Sequence, residues 1–468
     1  MTPRFSLLSG TALAVIFATT FSAHAATCDI QPGLITCADP GSDPVTSAEN
    51  GIDVVVQAPA SVVSTDENAS PVDLSGDDTA LRNDGLIDQT DNGGFAIFGS
   101  GNRLRVENNG DIKSGDRGIV MENGSDLTVI NGTGATIEAR RQAVRAREDS
   151  PGARVENRGT ITSTDGRALQ LRSFGATVIN HGDLIGAEEV VEARGDFTLE
   201  NYGTIKLSDP GIEDEDGVQF AGGRVDNWGL IEGSDDGIDV DEGHIMNFTG
   251  GIIRSTAPDQ NSNSGIDVDE VYDDGVSPER APGPLTIVNE GLIEGPSAIG
   301  TDAASTSEIR ITNSGTLNGR GGTAIRLADG QGDSRLHVLG ESQIFGDVLF
   351  GGGNDLLHIG LLTSGFLGSG IFDGGQGTNE LVLDGFGLGD LLSFEVDGDR
   401  VDLSFMSDGD RVAGTFLNFG QWEVGGQRYD VRALQDALGP QPVPLPAAFP
   451  MLLLALGGLG LLRRTSRA

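Results

Sequence analysis

Asn157-Arg158-Gly159-Thr160-Ile161 and Asn180-His181-Gly182-Asp183-Leu184-Ile185 are two copies of one phrase, Asn-x-Gly followed by an aliphatic strand. It recurs at Asn83-Asp84-Gly85-Leu86-Ile87, Asn108-Asn109-Gly110-Asp111-Ile112, Asn201-Tyr202-Gly203-Thr204-Ile205 and Asn227-Trp228-Gly229-Leu230-Ile231. Asn289-Glu290-Gly291-Leu292-Ile293 and Asn313-Ser314-Gly315-Thr316-Leu317 close the series, with degenerate copies at Asn131-Gly132 and Asn247-Phe248. Spacings run from 20 to 26 residues, apart from one gap of 42 that reads as about two periods.

A second motif falls between the copies: a small residue, then aliphatic-x-aliphatic, as in Gly118-Ile119-Val120-Met121, Ala168-Leu169-Gln170-Leu171, Gly217-Val218-Gln219-Phe220 and Ala324-Ile325-Arg326-Leu327. A third strand leads into each Asn, as in Leu104-Arg105-Val106. Periods of this length mean stacked repeats. Propeller blades need roughly 40 residues, and the leucine-rich pattern is absent. Three short strands per period fit one coil of an all-β, right-handed parallel β-helix, with alternate side chains facing inward. About ten or eleven coils at ~4.8 Å spacing predict a rod on the order of 50 Å long. Asn suits the corner because it tolerates left-handed backbone and bonds nearby amides. Stacked copies predict an Asn ladder, and the Gly two residues later allows the next turn. The expected organisation is coils over 75–334, Gly-rich terminal coils and a cap over 335–425, and a linker over 426–442.

Composition agrees. Gly is 71 of 468 residues and aromatics are 5%, which suits many tight turns better than one large globular core. The net charge of −40 repels nucleic acid and anionic lipid, keeps an exported chain soluble, and could attract divalent cations.

The ends point to export. Arg4, an apolar run from Leu7 to Phe21 and Ala23-His24-Ala25 read as a signal peptide over 1–25, with the mature chain starting at Ala26. Cys28 and Cys37 are the only cysteines, and in an oxidising compartment they are expected to form a disulfide within an N-terminal cap or leader over 26–74. At the other end, Val443-Pro444-Leu445-Pro446-Ala447 precedes an apolar run to Leu462 and the basic Arg463-Arg464-Thr465-Ser466-Arg467. Sixteen helical residues span about 24 Å, slightly short of a ~30 Å hydrocarbon core. The arginines place the rest of the chain outside. An uncleaved anchor is the plain reading.

Those three parts, in that order over 443–468, resemble the VPLPA-CTERM sorting signal, a relative of the PEP-CTERM signals. The resemblance implies a membrane-embedded exosortase-type transpeptidase as partner, a Gram-negative host, transient anchoring by the C-terminal helix, and a place at a cell surface or in an exopolysaccharide matrix. The Asn-x-Gly coils, with Asn418-Phe419-Gly420-Gln421-Trp422-Glu423-Val424 after them, resemble an autotransporter passenger over roughly residues 80 to 425. Such β-helices commonly act in adhesion, so surface polysaccharide or other cells are the implied partners. No translocating barrel of roughly 250 residues follows in this sequence. Phe350-Gly351-Gly352-Gly353-Asn354-Asp355-Leu356-Leu357 and Asp373-Gly374-Gly375-Gln376-Gly377-Thr378-Asn379-Glu380-Leu381 resemble the GGxGxDxL repeat of calcium-binding β-rolls. Both copies are incomplete: Phe350 replaces the first Gly and Asn379 the Asp. Calcium is therefore a secondary expectation, and no cofactor and no metal ligand are assigned.

The alternative class is a polysaccharide lyase or hydrolase. Asp235-Asp236-Gly237-Ile238-Asp239-Val240-Asp241-Glu242 and Ser264-Gly265-Ile266-Asp267-Val268-Asp269-Glu270 are near-identical. On successive coils, Asp239 and Asp241 would sit near Asp267 and Asp269, with His244 close in sequence. Grouped carboxylates raise one another's pKa or bind a cation. The first segment resembles the Asp-Gly-Ile-Asp core of polygalacturonases, but the Arg-x-Lys and Gly-His-Gly partners are missing. The chain has two lysines, Lys113 and Lys206, and 28 arginines for any enolate. Acidic strands facing solvent are the expectation, and no catalytic residue is assigned.

Overall fold

Residues 34–37 open a parallel ladder that runs nearly the whole chain. The computed structural model describes residues 27–439, apart from 65, 67–68, 90–92, 210, 259–262, 276, 302–304 and 328–329. The signal segment and the segment from Val443 onward, including the 447–462 run, lie outside the described residues. No helix among the described residues is long and apolar enough to cross a membrane.

The chain is a parallel β-solenoid of about 13 turns with three strand faces per turn. The first face stacks Leu34–Cys37, Asp53–Val56, Ala80–Asn83, Arg105–Asn108, Thr128–Asn131 and so on. The second follows each Asn-x-Gly, as in Thr136–Ala139 against Thr160–Ser163. The third carries the aliphatic-x-aliphatic motif, as in Val144–Ala146 against Leu169–Leu171. Alternation does the sorting: Val106, Val129, Val155 and Val178 point inward and are fully buried, while Glu107, Ile130, Glu156 and Ile179 face outward between them.

The Asn ladder is present, and it lies inside the corner. Asn83, Asn108, Asn131, Asn157, Asn180, Asn201, Asn227, Asn247, Asn289 and Asn313 align in register and are all 0% exposed. Each Nδ2 donates to Oδ1 of the next Asn at 2.8 to 2.9 Å, and Asn313 ends the run on Ser342 Oγ. None of these asparagines has the left-handed backbone expected of them. They are strand ends whose side chains satisfy the corner. The glycines two residues on also lack positive φ at every Asn-x-Gly copy. Gly is required there for closeness: a Cβ on Gly182 would overlap the Gly159 carbonyl oxygen, and one on Gly203 the Gly182 oxygen.

Three other expectations change. Asn247 pairs directly with Asn289, so the 42-residue gap is one coil carrying an insertion, not two periods. Parallel pairing begins at Leu34, so most of 26–74 contributes coils, and this raises the turn count above eleven. Among the described residues, the hairpin of Asp29–Gln31 with Leu34–Cys37 covers that end, with Cys28 and Cys37 joined across it. Within 426–442, Gln427–Asp430 pairs back on Gln421–Val424, and the helix Val431–Leu438 buries Leu434. Asp430 caps that helix, accepting from the Ala433 amide at 2.6 Å.

The far end is closed by an antiparallel meander of Leu391–Asp397, Arg400–Ser407 and Asp410–Leu417. Phe394 and Phe416 meet buried Trp422 edge to face at 5.3 and 5.7 Å. This cap covers the last parallel strands, which would otherwise present an open edge.

Candidate functional site

The third face carries one outward residue per short strand. Parallel register stacks Arg145, Gln170, Glu192, Gln219, Asp239 and Asp267 in one column. Asp239 therefore sits over Asp267, as the repeated segments suggest. The expectation that these acids simply face solvent fails for Asp241 and Asp267, which are 6% and 7% exposed.

Asp267 lies against Arg326 at 3.9 Å; for Asp241 the cause is the insertion. After Ser264–Val268 the chain does not turn straight to the first face; residues 269–275 and 277–284 fold back beside the column. The Tyr272 amide donates to the Arg280 carbonyl at 2.7 Å, and Arg280 lies over the Tyr272 ring at 4.0 Å. Arg280 also clamps Glu242 with two bonds of 2.9 and 2.7 Å. The result is a cleft of about 230 Å³ lined by Glu192, Gln219, Asp239, Asp241, Asp269 and Asp273, among others. His244 is not part of it; it stands on the first face between Arg224 and Thr286.

Electrostatics vary sharply along the column. Burial pushes Glu192 up, but bonds from Arg172 and Gln170 and the charge of Arg167 outweigh it and hold the carboxyl below its usual range. Gln219 donates to Asp239 at 3.0 Å. Asp241 accepts the Asp273 amide at 2.8 Å, yet burial, with repulsion from Asp269, Asp239 and Asp273, pushes it up to about 8. At neutral pH it is mostly protonated.

The corner beside the cleft adds a second acidic group. One carboxylate oxygen each from Asp216, Asp235 and Asp236 lies within 4.8 Å of the others. Burial, and then the charge of Asp239, holds Asp216 well above the carboxylate range; burial, Asp267 and Asp216 do the same to Asp236. Both also tie coils together: the Asp236 amide donates to Asp216 at 3.0 Å, and the Ser264 amide to Asp236 at 2.5 Å. These oxygens are thus partly committed to backbone amides. The Gly-rich coils use their side chains in the same way, Asp355 taking the Ser334 amide at 2.7 Å and Asn379 the Asp355 amide at 3.0 Å.

Asp216, Glu192 and Gln219 were not singled out by the repeat alone. The signal was available: Asp216-Gly217-Val218 and Asp236-Gly237-Ile238 are the same phrase one coil apart. Chemically, the cleft places a protonated carboxyl beside other acids, an arrangement suited to proton donation or to a cation.

Fold and cleft together define a closed-core parallel β-solenoid with an acidic side cleft. The chain matches no protein-family model, no curated protein and no solved structure.

Proposed function

We propose that the chain is an exported surface or matrix β-solenoid whose work is adhesion or structural support. The single observation behind this is the unbroken core with its buried Asn ladder. It forms a stiff scaffold whose internal polar groups serve coil-to-coil contact and need no ligand. The acidic surface and the two terminal segments support export, with Val443 to Ala447 read by an exosortase-type enzyme and the following helix serving as a temporary anchor. Surface polysaccharide or neighbouring cells are the partners. The test follows a tagged chain in its host. Mass spectrometry of the mature form should find nothing beyond the 443–447 segment, and Pro444→Ala with Pro446→Ala should hold the full-length chain in the inner membrane. A mature protein that keeps Arg463 and Arg464 would refute sorting.

A second reading is favoured by one observation: Asp241, pushed up to about 8, shares the cleft with Asp239. A protonated acid beside other carboxyls is the equipment of glycan hydrolysis. Uronate-containing polysaccharide cleaved by the wild type and spared by Asp241→Asn would establish it.

A further inference from the structure

The arginines of this acidic chain are unevenly placed. Residues 116–172 hold nine of the 28 arginines against eight acids. Four of them, Arg117, Arg145, Arg147 and Arg172, gather on and beside the third face, ahead of the acidic cleft.

Three of the four are neutralised. Arg117 meets Asp116 at 2.7 Å, Arg147 meets Glu122 at 2.5 Å, and Arg172 meets Glu192 at 2.6 Å. Arg145 is the exception. It is the outward residue of Val144–Ala146, and its neighbours one coil either side are Val120 and Gln170, neither of them acidic. Its Nε is buried with no acceptor, and no carboxylate pairs with it among the described residues. Burial and then the charges of Arg117, Arg147 and Arg172 lower its pKa, opposed mainly by Glu148. A buried donor without an acceptor calls for a physical account, and a bound anion is one. In the same column Glu192 is satisfied by Gln170 and Arg172.

We propose that Arg145, with Arg117, Arg147 and Arg172 around it, is an oxyanion site that takes one carboxylate or sulfate group. A guanidinium offers such a group two parallel donors. The acidic coils from Glu188 onward oppose an extended polyanion, so the site selects a single charge.

The test uses the full chain and calorimetric titration at low salt with glucuronate, inorganic sulfate and, as neutral control, glucose. The wild type should bind both anions and not glucose. Arg145→Met should weaken anion binding by about tenfold or more, and Arg145→Lys should retain part of it. Tighter binding of glucuronate than sulfate assigns the anion to an acidic sugar; equal binding assigns it to a free anion. Melting of the unliganded Arg145→Met chain should be unchanged or higher, because a repelled cation has been removed. No binding of either anion by the wild type, or binding by a folded Arg145→Met equal to wild type, overturns the site.

Discussion

Replacing Asn157 by Ala measures what the ladder contributes. Asn157 is 0% exposed. Its Oδ1 accepts from Asn131 Nδ2 at 2.9 Å and from the Gly159 amide at 3.2 Å. Its Nδ2 donates to Asn180 Oδ1 at 2.9 Å and to the Asp183 carbonyl at 3.1 Å. Four buried bonds at about 1 kcal/mol net each put the loss near 4 kcal/mol. Adding Asn180→Ala should cost less than the sum of the single changes by about 1 kcal/mol, because the shared bond is lost only once. Asn83→Ala with Asn313→Ala, at opposite ends, should be additive. Urea denaturation gives the free energies. Solenoids need not unfold in one step, so hydrogen exchange of the 154–157 and 177–180 amides localises the effect. A loss below about 1 kcal/mol for Asn157→Ala, or additivity for the adjacent pair, would show that the ladder is an ornament of the fold and not a support.

Other perturbations are simpler. Trp228 stacks on Tyr202 at 4.5 Å and Phe248 at 4.1 Å, so Trp228→Ala should cost about 1–3 kcal/mol in urea denaturation. Gly182→Ala forces a Cβ onto the Gly159 oxygen, and a loss of about 3 kcal/mol is expected in the same assay. For Asp241, the folded value of about 8 lies above the unfolded value of 3.8. The stability it contributes is therefore complete below about pH 4 and lost as pH rises through about 8. Melting temperature should fall between pH 5 and 8.5, and Asp241→Asn should flatten that fall. A slope unchanged by the substitution would place the pH dependence elsewhere.

The repeat carried most of the fold because each coil repeats its own physics. Asn-x-Gly, the small residue before aliphatic-x-aliphatic, and the strand before Asn each map to one face. What stayed hidden were the reasons and the exceptions. Asn and Gly look like turn formers in one dimension. The ladder itself is legible in the repeat; only stacking shows that each Asn is a buried strand end inside the corner and that Gly makes room for a carbonyl. The early coils at Leu34 and Asp53 lack the Asn, carrying Cys37 and Val56 in its register, so the motif could not find them. The cleft was half legible: the paired Asp239 and Asp267 predicted their stacking, but the folding back of 269–275 and 277–284 depends on long-range contacts such as Arg280 with Glu242.

All nine Asn-to-Asn bonds point the same way, each amide donating toward the C-terminal end. A single reversed amide would set donor against donor on one side and acceptor against acceptor on the other, so the row keeps one orientation throughout. Its dipoles add along the axis as peptide dipoles do in a helix. The positive pole lies where Asn313 meets Ser342, and the negative pole at Asn83. Because amides do not titrate, this axial polarity persists at every pH, beneath a surface whose charge does not.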